Sequence, residues 1–455
     1  MPPIGLRSIR LAGIGLLAVA FTALPAHAQE GTKPSLPDTA ACPQAVADIA
    51  TCYSARLATG AYVFAAMPKS WNGHLVVFAH GGPSLVPYQP LYSQADLAKY
   101  SIAVKRGFAW VASSFRREGY GVRMAAADTE DARKFFIERI AKPQRTILHG
   151  ASFGGLVGAK LLETDAKNAD GTTNYDGAFF NSGLVLGTAL GYEFRVDLRA
   201  VYQYYCKNLP RPSEPDYPLW NGIPADSKMN LKDLETLVDE CTGVTKAVAT
   251  RSEPQKQNLA NILGVMGFHE RVLYRHMQSS TLLFRDIVQR MMKGRNPFTN
   301  LGVRYKGSTD DTALNRDVVR FTADPTALAD LRADGEPTGA LPVPVISIHS
   351  INDPQVVVEG QSVFRGYVNA AGNGERLVQA YTDEPEHTAQ STPELGAALE
   401  ALMQWIEKGV KPTPQTILAT CERLRDVHEG PCRYHPEFEP RSYDTRYYAR
   451  AAVAR

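Results

Sequence analysis

Three side chains, Ser152, Asp353 and His387, are of the types that together transfer an acyl group. A serine hydroxyl is a weak nucleophile at neutral pH. It needs a base beside it, and that base needs an acid to fix its tautomer and to stabilise its charged form. Ser152 would attack a carbonyl, His387 would take the proton and return it to the leaving group, and Asp353 would orient the imidazole. Water would then repeat the step on the acyl intermediate. The oxyanion that forms needs backbone donors. The N–H of Phe153 follows the serine at a helix N-terminus, and the run His80-Gly81-Gly82-Pro83 offers a second donor from Gly81 or Gly82, since proline has no N–H. This chemistry requires no metal and no organic cofactor.

Such groups act only if strands and turns deliver them to one place. Residues 146–148 form an apolar run, followed by the small-residue turn Gly150-Ala151-Ser152-Phe153-Gly154-Gly155 and an apolar helical segment. Strand, tight turn and helix are the context in which Gly-x-Ser-x-Gly exposes a serine at a strained apex. Gly150 and Gly154 lack a Cβ, so strand and helix can approach closely there. The strand pattern of residues 345–349 leads into Asp353, and that of residues 377–381 leads into His387. Asp383, Glu384 and Glu386 are nearby alternatives for the acid. His80 and His149 read as structural, the first within the oxyanion turn and the second ending a buried strand. Apolar strands at 74–79, 108–114, 146–148 and 177–180 alternate with helical segments, among them 93–106 and 129–140. This alternation predicts an α/β fold with a mostly parallel sheet flanked by helices.

The motif Gly-x-Ser-x-Gly-Gly, the upstream His-Gly-Gly-Pro, and a late Asp and His after successive strands resemble the α/β-hydrolase superfamily. The His-Gly-Gly-Pro form is similar to the prolyl-oligopeptidase-like and proline-iminopeptidase-like branches. The resemblance covers residues 60–182 and 340–410. It implies the α/β-hydrolase fold with Ser152 as nucleophile, His387 as general base, Asp353 as its partner, and Phe153 and Gly82 as oxyanion donors. It leaves open an ester hydrolase, a proline-type exopeptidase or amidase, and a binding protein that has lost catalysis. An exopeptidase would need carboxylates for a free amine, and the region between the two core parts offers Asp239, Glu240, Asp310 and Asp311. Arg117, beside Arg116 after the strand ending at Ser114, is a candidate partner for a substrate carboxylate.

The chain divides accordingly. Residues 1–28 read as a secretory signal: basic Arg7 and Arg10, a 14-residue apolar run at 11–24, and the small-x-small site Ala26-His27-Ala28. Residues 29–59 read as an N-terminal leader, loose over its Pro-, Thr- and Ser-rich part at 29–41, 60–186 as the first part of the core, 187–338 as an inserted helical cap, 339–410 as the second part of the core, and 411–455 as an irregular tail. Removing Arg7 and Arg10 with the signal brings the 49 basic residues level with the 47 acidic ones. A balanced charge implies neither nucleic acid nor an anionic membrane as partner, leaving a small or short-chain ester or amide substrate and no membrane anchor after cleavage. The cysteines Cys42, Cys52, Cys206, Cys241, Cys421 and Cys432 are even in number, which in an exported chain suggests disulfides. Sequence cannot choose among the pairings, and short loops favour 42–52, 206–241 and 421–432.

Overall fold

The computed structural model describes residues 37–450. Within them nine strands form one sheet: β1 (Asp38–Ala40), β2 (Ala50–Arg56), β3 (Tyr62–Pro68), β4 (His74–Ala79), β5 (Ala109–Ser113), β6 (Arg145–Ala151), β7 (Gly177–Asn181), β8 (Val345–Ser350) and β9 (Leu377–Thr382). Their spatial order is β1-β2-β3-β5-β4-β6-β7-β8-β9. The pairs from β5 to β9 are parallel, while β1, β2, β3 and β5 pair antiparallel. The central strands are apolar throughout because both faces are covered. Leu75 and Val77 of β4 face one side, whereas Val76 and Phe78 face the other.

Helices α1 (Gln94–Lys99) and α2 (Ile102–Lys105) share one layer with two late helices. On the opposite layer lie α3 (Val122–Arg139) and α4 (Phe153–Thr164). The chain then leaves the sheet for α5 (Thr188–Cys206), α6 (Leu231–Thr242), α7 (Glu253–Met266), α8 (Leu273–Gln278) and α9 (Asp311–Asp317). These five build their own core, in which Leu198, Val201, Leu234, Val238, Ile262 and Met277 are buried together. Helix α10 (Pro325–Gly335), also inside the expected cap, instead buries Ala327 and Leu331 with the sheet's own core. Helix α11 (Gly360–Ala370) joins the layer of α3 and α4, and α12 (Thr392–Lys408) and α13 (Pro414–Leu424) join that of α1 and α2.

Both expected termini differ from their reading. From residue 37 onward the expected leader is ordered: residues 38–40 and 50–56 are strands that extend the sheet, pinned by the Cys42–Cys52 disulfide. Their polar, Pro-containing surroundings hid the signal, because an edge strand needs only its backbone paired and one apolar face. Residues 414–424 of the tail form α13, tied by Cys421–Cys432, and Tyr434 bridges to Thr382 of β9. Cys206–Cys241 joins α5 to α6. The helix read at 93–106 breaks in two at Tyr100-Ser101, and α3 starts seven residues before its expected Thr129. Ser391 caps α12: its hydroxyl accepts from the N–H of Glu394, and the Glu394 carboxylate accepts from the N–H of Ser391. The signal read at 1–28 lies outside the described residues. Among those residues no helix is long and apolar enough to cross a membrane.

Two contacts show how tightly the turn at Ser152 is built. A Cβ on Gly154 would lie 1.9 Å from the carbonyl oxygen of Ala79, at the end of β4, and one on Gly150 would lie 2.3 Å from the carbonyl oxygen of Gly154. Gly366 on α11 is exposed, and a Cβ there meets nothing within 4 Å. Gly154→Ala is therefore expected to destabilise by about 3 kcal/mol or more through backbone overlap. Gly366→Ala should stabilise by about 0.5–1 kcal/mol through helix propensity. Urea denaturation followed by circular dichroism checks both; a Gly154→Ala protein as stable as wild type would contradict the packing described.

Candidate active site

Ser152 stands between β6 and α4 at φ 56° and ψ −123°, a conformation that non-glycine residues rarely occupy. Its backbone is held from two sides: its N–H donates to Asn181 at the end of β7, and its carbonyl accepts from Gly155 and Leu184. The side chain is thereby lifted above the carboxyl ends of the parallel strands. The Phe153 N–H, at the start of α4, has no partner within the helix and belongs to the positive end of its dipole. Gly81 packs on the same turn, since a Cβ there would lie 3.4 Å from the Ala151 carbonyl oxygen and 3.5 Å from Ser152 Cβ. Gly82 and Pro83 line one pocket with Ser152, Phe153 and His387.

The structure brings the other two residues to this point. Asp353 follows β8 and is buried. Its Oδ1 accepts the backbone N–H groups of Gln355 at 2.9 Å and Val356 at 3.0 Å, which leaves Oδ2 for His387 Nδ1 at 2.7 Å. His387 Nε2 lies 2.7 Å from Ser152 Oγ. Burial alone would raise the Asp353 carboxyl, but His387 and these hydrogen bonds outweigh it and hold the group below its usual range. An ionised aspartate fixes Nδ1 as the protonated nitrogen and leaves Nε2 free to accept the serine proton. Of the alternative acids, Asp383 pairs with His435, Glu386 with Arg271, and Glu384 with Arg433.

Order, turn and strand ends together decide the architecture. The chain has the α/β-hydrolase fold. No protein-family model matches the chain, and no curated protein matches it in sequence. Similar solved structures include an esterase from Aspergillus oryzae, 15% identical over 80% of this chain and 81% of that one, with a TM-score of 0.39. Feruloyl esterase B from Aspergillus oryzae is 14% identical over 80% of this chain and 81% of its own, with a TM-score of 0.40. Candida antarctica lipase A is 12% identical over 84% of each chain, with a TM-score of 0.42.

In this hydrolase fold the two early histidines have local duties. His80 Nδ1 lies 2.6 Å from Asp96 Oδ2, which ties the His-Gly-Gly-Pro turn to α1. His149 is buried against Phe179 and bonds Asn181, and burial pushes it down to about 3, so it is uncharged. Arg117 does not line the pocket of Ser152. Its guanidinium donates to the carbonyls of Glu118 and Tyr120 and lies 3.8 Å from Asp286. The cations that do line it, Arg195 of α5 and Arg275 of α8, went unread in the sequence. The available signal was a helix, 188–206, carrying Arg195, Asp197 and Arg199 among residues buried on every side. The four cap acids are also elsewhere. Asp239 and Asp311 accept from nearby backbone N–H groups, Asp310 caps α9, and Glu240 pairs with Arg211. Among the described residues no cluster of three His, Cys, Asp or Glu is arranged to hold a metal ion.

The loop bearing His387 is fixed from outside the pocket. Arg271, in the inserted region, donates to the Pro385 carbonyl, Lys99 donates to the Thr388 hydroxyl at 2.7 Å, and Ser350 donates to the Glu384 carbonyl. The Glu384 carboxylate takes an ion pair from Arg433 and faces Glu394, the buried acid that completes the capping box of α12 with Ser391. Burial, with Glu384 adding to it, raises Glu394 from 4.5 to about 7. A raised folded-state value means the neutral form is favoured on folding. Its stabilising contribution is complete below the ordinary glutamate value and fades as pH rises through about 7. Denaturation midpoints should therefore fall between pH 5 and pH 8. Glu394→Gln, neutral throughout, should lower the midpoint overall yet flatten that fall; an unchanged slope would contradict the assignment.

Proposed function

We propose that this protein is an exported serine hydrolase that cleaves carboxylic esters through an acyl-enzyme intermediate. The observation that carries this reading is the hydrogen-bonded line from Asp353 Oδ2 through His387 to Ser152 Oγ, with both contacts at 2.7 Å. In the first half-reaction Ser152 Oγ bonds the carbonyl carbon while His387 Nε2 takes its proton. The N–H groups of Phe153 and Gly82 take up the developing oxyanion, each such donor lowering the barrier by about 3 kcal/mol. Collapse expels the alcohol with the proton from His387, and water repeats the sequence to release the acid. Export is favoured by the signal-like residues 1–28 and by the three disulfides.

Ester cleavage is favoured over removal of an amino-terminal residue by the charge of the pocket wall. Its lining contains Arg195 and Arg275 and no Asp or Glu. A substrate ammonium would meet like charge and no partner, which costs binding. The purified protein should therefore hydrolyse p-nitrophenyl acetate and leave aminoacyl-p-nitroanilides intact. A fluorophosphonate should label Ser152, and Ser152→Ala should lose labelling and at least about 10⁴-fold in kcat without losing its fold. Labelling that persists in Ser152→Ala, by intact-mass spectrometry, would refute the assignment of the nucleophile.

A further inference from the structure

Arg195 is 7% exposed and lines the pocket of Ser152. Nη1 donates to the Gly191 carbonyl one turn back at 2.5 Å, and Nη2 reaches the Gln355 carbonyl at 3.4 Å. The guanidinium lies over the rings of Phe194 and Tyr192, at 4.4 Å and 5.0 Å from their centroids. Its buried Nε has no hydrogen-bond partner. Arg275, exposed on the same wall, donates to Gln278 Oε1 at 3.2 Å. Among the described residues neither arginine forms an ion pair with a carboxylate.

This contrasts with other buried guanidiniums. Arg450 is paired with Asp197 and Glu193, Arg133 with Glu130, and Arg251 with Glu270. Arg199, one turn beyond Arg195, has no carboxylate either, but it donates to the carbonyls of Leu209 and Gly222 and to Tyr217, away from the pocket. Arg195 alone combines burial, an idle donor and an opening toward the nucleophile. A desolvated cation without a counter-ion is costly, and guanidinium remains charged in proteins. The missing partner is then an anion that arrives from solvent. A carboxylate matches the planar fork of guanidinium, and Leu184, Leu283, Val356 and Tyr192 of the same wall suit the carbon skeleton that would bear it.

We propose that Arg195 and Arg275 bind a carboxylate of the substrate, so that the enzyme prefers esters that carry a free acid group over neutral esters of the same size. This specificity rests on the serine-hydrolase reading, but the binding it requires is measurable without turnover. Two probe pairs report on the two sides of the scissile bond. Mono-p-nitrophenyl adipate against p-nitrophenyl hexanoate places the acid on the acyl side, and 4-acetoxybenzoate against phenyl acetate places it on the leaving group. In Ser152→Ala, calorimetry should show at least one acidic probe binding tenfold or more tighter than its neutral twin. Adding Arg195→Gln should bring the pair to parity, and Arg195→Lys should recover part of the difference. In the active enzyme, Arg275→Gln, at an exposed position, should lower the ratio of acidic to neutral kcat/KM several-fold. A residue that only braces the Gln355 loop would lower both members of a pair together and leave this ratio unmoved.

Equal binding of acidic and neutral probes to Ser152→Ala in both pairs would overturn the carboxylate site, as would a ratio that survives both arginine changes. Failure of the hydrolase reading would show separately, as no fluorophosphonate adduct on Ser152.

Discussion

The site depends on how closely one turn packs against the sheet. Between Gly150 and Gly154 the chain reverses direction with the carbonyl of Ala79 pressed against the helix start, where a Cβ on Gly154 would stand 1.9 Å from that oxygen. This close approach fixes Ser152 at a positive φ that its side chain disfavours. The conformation persists because hydrogen bonds from Gly155 and Leu184 to the Ser152 carbonyl, and from Ser152 to Asn181, over-determine it. In the proposed reaction a hydroxyl so held needs little reorganisation to meet a carbonyl carbon.

Around that turn the sheet acts as a ruler. Parallel strands β6, β8 and β9 all end on one edge, so the loops after them converge although their residues are two hundred positions apart in the chain. The two loops are braced differently. The Asp353 loop is held by its own carboxylate, which accepts from Gln355 and Val356, and by Arg195 reaching the Gln355 carbonyl. The His387 loop is held from the outside, by Lys99, Arg271, Ser350 and the Glu384–Arg433 pair. The tail read as irregular thus anchors the loop of His387, since Arg433 adjoins the Cys421–Cys432 disulfide.

The inserted helices play two parts. Helices α5 to α9 have a core of their own, yet α5 and α8 supply Tyr192, Arg195 and Arg275 to the pocket wall. The wall joins apolar surface to two cations and carries no acid, whereas acids at Asp239, Glu240, Asp310 and Asp311 serve caps, turns and a surface ion pair. These four acids therefore serve structure away from the site, while the two arginines of the wall face the pocket without a carboxylate partner among the described residues.

Local chemistry made part of this legible in the sequence. Gly-x-Ser-x-Gly between an apolar run and a helical segment marks its own turn, because only glycine tolerates the contact on either side of Ser152. Apolar strands of uniform character announce a sheet buried on both faces, and Asp353 and His387 are visible as polar groups directly after such strands. Segments stabilised by distant partners were not legible. The strands at 38–40 and 50–56 exist because β3 offers an edge, α13 because α12 offers a face, and the break at Tyr100-Ser101 because packing overrides helix propensity. The pocket cations are the clearest case. Arg117 follows a strand and looks available, but Glu118, Tyr120 and Asp286 engage it. Arg195 sits within a buried helix and looks structural, but it lines the pocket of Ser152 with an idle Nε and no carboxylate partner among the described residues. Sequence alone determined which groups this chain can use for chemistry, because spacing around a turn is local. Tertiary structure alone decided which charges remain unpaired at the pocket, because pairing depends on neighbours that no local pattern encodes.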